Sequence, residues 1–161
     1  MSLLAYRNYS SPIGKLRLVS KDNCLVAINF ENDLLREEDL SEDFTEKSHE
    51  ILDRVCTQLD QYFLGERKEF DLPILLEGTE FQKKVWGELL NVPYGKTISY
   101  SEQAQRIGSP KAVRAVGATN GKNHLPIVVP CHRVIGKSGQ LTGYAGGLGI
   151  KKFLLGLEQS A

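Results

Sequence analysis

The run Pro130-Cys131-His132-Arg133-Val134 sets a thiol, an imidazole and a guanidinium on consecutive residues. A cysteine is a useful nucleophile only as its thiolate, and a neighbouring cation or base lowers the thiol pKa. Here His132 and Arg133 are the candidates for that base and that cation. Pro130 restricts the backbone entering the segment, and the charge-free stretch 125–129 offers a dry wall beside it. On an extended strand adjacent side chains point to opposite faces, so His132 meets Cys131 only through a turn or a bridging water. A base of this kind also needs a third group to orient it. Glu158, the only acidic residue between 131 and 161, is the local candidate. A bare Cys-His pair is, however, more often a buried thiol next to two surface side chains, so the pair alone does not decide the chemistry.

The other cysteines narrow the options. Cys24, Cys56 and Cys131 are odd in number and widely spaced, which argues against a disulfide framework or a zinc knuckle. Cys24 lies in the apolar run 24–28 and Cys56 in a helical pattern, so both read as small buried hydrophobes. No apolar run approaches the roughly 20 residues of a membrane span, and Arg7 interrupts the N-terminus too early for a signal peptide. The expectation is a cytoplasmic protein with no membrane association.

These residues must be positioned by elements the patterning predicts. Leu3–Ser10, Lys15–Ser20 and Cys24–Phe30, joined by turns at Ser11–Gly14 and Lys21–Asn23, predict an antiparallel meander. On the second strand Leu16, Leu18 and Ser20 fall on one face, Arg17 and Val19 on the other. Residues 31–47 are acidic and poorly patterned, a surface loop with some helix. Ile51, Leu52, Val55, Leu59, Tyr62 and Phe63 recur at helical spacing and predict an amphipathic helix over Ser48–Leu64 that covers the sheet. Pro73 splits Glu69–Leu76 into an edge strand or extended linker. The boundary falls at Glu77-Gly78, giving domains 1–77 and 78–161.

In the second domain Thr79 and Gln82 fit a capping box, followed by a buried stripe of Phe81, Val85, Trp86, Leu89 and Leu90. A short helix over Ser99–Arg106, a break at Gly108-Ser109-Pro110 and a helix over Pro110–Ala118 make the helix-turn-helix outline, the second helix carrying Lys111 and Arg114. A glycine-rich segment, 136–149, precedes a closing helix over 149–158. Charge divides along the same line. Residues 1–77 carry 9 Lys/Arg against 16 Asp/Glu, a net of −7; residues 78–161 carry 11 against 4, a net of +7. A second half facing a polyanion and two halves attracting each other both fit that division.

Residues 79–158 resemble the DNA-binding and active-site domain of the O6-alkylguanine-DNA alkyltransferases, also called methylated-DNA–protein-cysteine methyltransferases. The resemblance rests on the intact Pro-Cys-His-Arg-Val run and on Asn123, Ile127, Pro130 and Cys131 in an Asn-x-x-x-Ile-x-x-Pro-Cys segment. It also rests on Ser99-Tyr100, the Lys-Ala-x-Arg-Ala-Val-Gly helix Lys111–Gly117, and Gly-Tyr-x-Gly-Gly-Leu at 143–148. The family implies an α/β (α+β) fold: a small ribonuclease-H-like antiparallel-sheet domain, which residues 1–77 resemble in outline, and a mainly helical domain with a helix-turn-helix.

It further implies direct-reversal repair of duplex DNA. A monomer binds the minor groove, flips the damaged base and transfers the O6-alkyl group (with O4-alkylthymine as a further substrate) irreversibly to Cys131. His132 and Glu158 would activate that thiol through a water, and Tyr100 would donate to the leaving base. Asn123 would be a hinge. The carbonyls of Cys131 and Val134 and the Ala145 N–H would read the base, with Tyr144 and Gly146-Gly147 shaping the pocket. Arg114 would intercalate, with Lys111, Ala115, Gly117, Ala118 and Arg133 at the DNA. No cofactor and no metal are implied. Relatives that bind zinc do so through N-terminal Cys and His residues, and here residues 1–77 hold only Cys24, Cys56 and His49. Repair without transcriptional control is expected. His124 stands where many members have proline, which bears on the stiffness of the hinge. Three rivals differ in outcome: a non-catalytic lesion binder lacks the acceptor cysteine, a transcription regulator needs neither Cys131 nor Tyr144, and a Cys-His hydrolase turns over.

Overall fold

The computed structural model describes residues 4–31 and 46–160 and divides into two compact units, 1–75 and 76–161. The acidic stretch predicted as a surface loop lies almost entirely outside the described residues.

In the first unit, β1 (Leu4–Ser11), β2 (Gly14–Lys21) and β3 (Cys24–Asn29) form an antiparallel meander in that order. β2 is the central strand, and Leu16, Arg17, Leu18, Val19 and Ser20 are all buried, so both of the faces read from its alternation are covered. Helix α1 (Glu46–Phe63) packs on the sheet through Ile51, Leu52, Val55, Leu59 and Tyr62. Its apolar stripe recurs every three to four residues and can face only one way. The segment after α1 is tied back by Gln58, whose side chain both donates to and accepts from the Asp71 backbone. It then adds one parallel bridge, Leu25 to Ile74, beside β3. Pro73 confines that contact to the sheet edge.

The second unit starts with α2 (Glu80–Leu89). Thr79 caps it by the predicted reciprocal box: the Gln82 N–H donates to Thr79 Oγ1, and the Thr79 N–H to Gln82 Oε1. Val85, Trp86 and Leu89 form its buried face, whereas Leu90 is 49 % exposed, because it falls beyond the last turn of the helix. A two-residue strand β4 (Ile98–Ser99) leads into α3 (Tyr100–Arg106), with the Ser99 hydroxyl accepting from the Glu102 N–H.

Helix α3 stops at Gly108 (φ 78°), where the Ser109 N–H returns to the Ala104 carbonyl and the Gly108 N–H to that of Gln105. That paired closure requires a left-handed residue, which glycine adopts without a Cβ penalty. Helix α4 then spans Val113–Asn120 rather than starting at Pro110. Residues 109–112 are spent on the turn, so Lys111 precedes the helix it was expected to ride on. The chain closes with β5 (Val134–Ile135), parallel to β4, and α5 (Leu148–Gln159).

Helices α2, α3 and α4 pack together around Val85, Trp86, Ala104, Ile107 and Val116. Polar groups inside this core are paired: Trp86 Nε1 donates to the Thr119 carbonyl at 2.9 Å. Gln103 and Asn120 exchange side-chain amide bonds at 3.1 and 2.7 Å. Losing one partner of such a buried pair leaves the other amide unsatisfied, which costs about 1–3 kcal/mol. Gln103→Leu and Asn120→Leu are each expected to lower the urea unfolding free energy by that amount, with the double variant less unstable than the sum. Simple additivity in the double variant would show that the two amides do not depend on each other.

Candidate active site

The peptide 125–134 folds as two successive tight turns. Residues 125–130 are all buried and curl over Ile127, which holds φ at +76°. A β-branched residue in the left-handed region stores about 1–2 kcal/mol of strain. Asn123 holds the turn from both sides: its Nδ2 donates to the Val129 carbonyl at 2.7 Å and its Oδ1 accepts from the Leu125 N–H at 2.9 Å. Cys131–Arg133 then forms one turn of 3₁₀ helix, and the Cys131 N–H donates to the Val129 carbonyl at 2.8 Å. Cys131-His132 is thus in a turn and not extended.

All three side chains of this turn are buried, and His132 and Arg133 converge on Glu158 of α5. His132 Nε2 lies 2.6 Å from Glu158 Oε2. Arg133 grips the same carboxylate with two nitrogens, Nε to Oε1 at 2.8 Å and Nη2 to Oε2 at 3.0 Å, and donates a third bond to the Val92 carbonyl at 2.7 Å. The aromatic ring of Tyr94 lies 5.7 Å from this guanidinium. Arg133, expected to touch DNA, is therefore corrected to an interior residue. Its charge neutralises a buried carboxylate, which could not otherwise stay ionised.

The electrostatics of the thiol also differ from the sequence expectation. Burial pushes the Cys131 thiol above its ordinary range, and the Asn123 side chain, the Lys151 charge and a backbone bond offset only part of that rise. Burial holds His132 below the usual imidazole range, against the pull of Glu158. Both groups are thus neutral at rest. With Nε2 donating to Glu158, His132 keeps a lone pair on Nδ1, which is buried and has no protein partner among the described residues. That leaves an imidazole nitrogen free to accept a proton on the residue next to the thiol.

Cys131 opens onto a cavity of about 560 Å³. Its walls are Tyr100 from α3; Val113, Gly117 and Asn120 from α4; and Thr142, Tyr144 and Ala145 from the loop before α5. That loop turns sharply at Gly147 (φ 99°), where the Gly147 N–H returns to the Tyr144 carbonyl and the same residue caps α5. Asn123, Val134 and Gly146 do not line the cavity. Asn123 acts behind it, and Val134 pairs with Ile98 in the sheet. Arg114, Ala115 and Ala118 lie exposed on the outer face of α4, Lys111 is exposed in the turn before it, and Gly117 is half-buried. The Tyr100 ring stands 3.8 Å from where a Cβ on Gly117 would sit.

Sequence reasoning missed Lys151, Thr142 and Asn120. Lys151 is fully buried, with Nζ 2.7 Å from the Val134 carbonyl and 2.9 Å from that of Thr142. The signal was present: Lys151, Leu154 and Glu158 sit at helical spacing on one face of α5, and a lysine on a buried stripe calls for a partner.

Two family models match. Residues 4–76 fit the ribonuclease-like domain of 6-O-methylguanine DNA methyltransferase, and residues 80–160 fit its DNA-binding domain. A methylated-DNA–protein-cysteine methyltransferase of Methanosarcina acetivorans is 48% identical over 155 residues, covering 96% of this chain and 98% of that protein. The constitutive enzyme of Bacillus subtilis is 44% identical, covering 96% and 94%. The crystal structure of Mycobacterium tuberculosis OGT in complex with DNA superposes with a TM-score of 0.88 at 46% identity, covering 97% of this chain and 93% of that one.

The two opposite pKa displacements predict a pH dependence. A histidine depressed in the folded state contributes stability above its unfolded pKa of about 6.5 and loses it as pH falls. A thiol raised in the folded state contributes stability below its unfolded pKa of about 8.5 and loses it as pH rises. Urea unfolding of the wild type is therefore expected to weaken on both sides of a neutral plateau. Cys131→Ser should make the alkaline side shallower, the raised Cys56 thiol keeping part of the slope, and leave the acid side in place. Identical alkaline slopes in the two proteins would contradict the raised thiol.

Proposed function

The chain belongs to the methylated-DNA–protein-cysteine methyltransferase family, and from that premise we propose how its own residues carry the reaction. The protein repairs DNA by direct reversal: an alkyl group on guanine O6 moves irreversibly to Cys131, once per molecule. The observation that carries the assignment to Cys131 is its place on the wall of a cavity shared with α4, backed by the buried His132–Glu158–Arg133 cluster.

Helices α3 and α4 serve as a helix-turn-helix that meets duplex DNA as a monomer through the minor groove. Ala115 and Ala118 on the outer face of α4 allow close backbone approach, and Arg114 fills the gap left when the damaged base swings out. Extrusion costs a few kcal/mol and brings the base into the cavity between Tyr100 and the 142–145 wall. The Cys131 carbonyl and the Ala145 N–H read its polar edge. The Val134 carbonyl, expected to read the base as well, accepts from Lys151 instead and stands off the cavity.

The thiol is neutral until the base is bound. His132 Nδ1 then takes the Cys131 proton through a water, and Glu158 steadies the imidazolium that forms. The thiolate attacks the alkyl carbon in line, the carbon–O6 bond breaks, and its electron pair passes into the guanine ring. Tyr100 donates its phenol proton to the leaving base. A thioether remains on Cys131. Nothing in the site offers a better leaving group from that carbon, so the protein is consumed.

Intact mass after incubation with duplex DNA carrying O6-methylguanine should rise by one methyl group, stoichiometrically, and Cys131→Ser should gain nothing. Repeated turnover or an unmodified protein would rule the reading out. Arg114→Ala should slow transfer from duplex by about 10- to 100-fold, since it loses the wedge that offsets extrusion. The same variant should react normally with the free alkylated base, which needs no extrusion.

A further inference from the structure

His124 follows the hinge residue Asn123, at a position where a proline would restrain the backbone. A proline there would fix its own φ at about −65° and bias Asn123 toward extended backbone. Histidine does neither. Yet the Asn123 side chain has to stay in one place, because it braces the reactive turn at both the Val129 carbonyl and the Leu125 N–H. Another contact must hold the connection between α4 and that turn.

The indole of Trp86 meets that connection at both ends. At one end its Nε1 donates to the carbonyl of Thr119, in the last turn of α4, at 2.9 Å. At the other, the His124 imidazole stands edge-on to the indole, with ring centroids 5.4 Å apart and planes at 64°. Ring quadrupoles favour that T-shaped arrangement. Between the two points the Lys122 N–H donates to the Thr119 carbonyl and the Asn123 N–H to that of Asn120. The chain from 119 to 124 thus makes a closed circuit that begins and ends on one side chain.

The indole is itself immobile. It is 1% exposed within the helical core, and Gly78 approaches so closely that a Cβ there would come within 3.0 Å of Trp86 Cζ3. His124, by contrast, is exposed, and its N–H has no acceptor among the described residues. Neither core burial nor a backbone bond keeps it in place, which leaves the ring contact.

We propose that His124 is a positioning residue of the transfer reaction: clamped on Trp86, it fixes Asn123 to the end of α4 and so holds the turn that carries Cys131 in register with the helix that presents Arg114. The inference rests on the transfer function given above. A ring contact here does what a covalent restraint does in proline.

The test compares the unaltered protein with His124→Ala, His124→Phe and His124→Pro, each shown folded by circular dichroism. Two quantities are read: single-turnover methyl transfer from an O6-methylguanine duplex, and hydrogen exchange at the Leu125 and Val129 amides, which bond to Asn123 Oδ1 and the Leu125 carbonyl. In His124→Ala both amides should exchange about 3- to 10-fold faster, the scale of one lost aromatic pair. Its transfer rate at saturating duplex should fall by a similar factor, with the half-saturating concentration unchanged within about twofold. His124→Phe keeps the ring and should match the unaltered protein. His124→Pro loses no hydrogen bond and should recover most of both quantities. Unchanged exchange and transfer in His124→Ala, or a His124→Phe as impaired as His124→Ala, would overturn the proposal. Absence of methyl transfer in the unaltered protein would remove the function it rests on, while the exchange rates would still decide the clamp.

Discussion

Glu158, 3 % exposed, receives His132 on one oxygen and Arg133 on both, and the local architecture follows from that convergence. A carboxylate cannot stay ionised in a protein interior without paired charge and hydrogen bonds. The 3₁₀ turn at Cys131–Arg133 is what sends two adjacent side chains inward to the same group, a geometry an extended strand forbids. Breaking such a buried pair costs about 3–5 kcal/mol, so α5 and the reactive turn are held together firmly. Arg133 neutralises the carboxylate, and His132, with Nε2 on that carboxylate, has no partner on Nδ1 among the described residues.

This explains how a nucleophile can be buried and still useful. A thiol in a dry wall is disfavoured as an anion, and the Cys131 pKa moves up accordingly. The site does not keep a thiolate waiting. It keeps a neutral thiol and a neutral imidazole on adjacent residues, the resting state from which the proposed proton transfer starts. A resting thiol resists oxidation and stray alkylators, which suits a residue that can be used only once. The turn at Ile127, braced by Asn123, holds the backbone of this wall in one conformation, and the loop opposite turns at Gly147, whose N–H returns to the Tyr144 carbonyl.

The two sides of the cavity are built from different materials. α3 and α4 are locked by Trp86 and by the Gln103–Asn120 amide exchange, so the surface that presents Arg114, Ala115 and Ala118 is a rigid one. The opposite wall is a loop of 136–147 with few side chains of its own to pack. Lys151 stands beneath it and supplies in hydrogen bonds what the loop lacks in buried apolar surface. Rigid helices suit docking on a regular duplex, while a loop can be shaped to a single base.

The order of the helices, the capping box at Thr79, the meander and the run containing Cys131 were legible in the sequence, because each depends on neighbours a few residues apart, whereas the two-residue parallel pair of β4 and β5 was not. Glu158 was legible by elimination, being the last acidic residue available. Other features needed the fold. Pro110 looks like a first helical residue, but the closure of α3 at Gly108 consumes the following residues, so α4 begins at Val113. Arg133 looks like a surface cation until α5 brings Glu158 beneath it. Lys151 looks like a solvated lysine until its helix turns it under the cavity wall. Local periodicity specifies which residues share a face. Which charges that face meets is decided by contacts between residues far apart in the chain, and burial then determines whether a titratable group is charged, paired or poised.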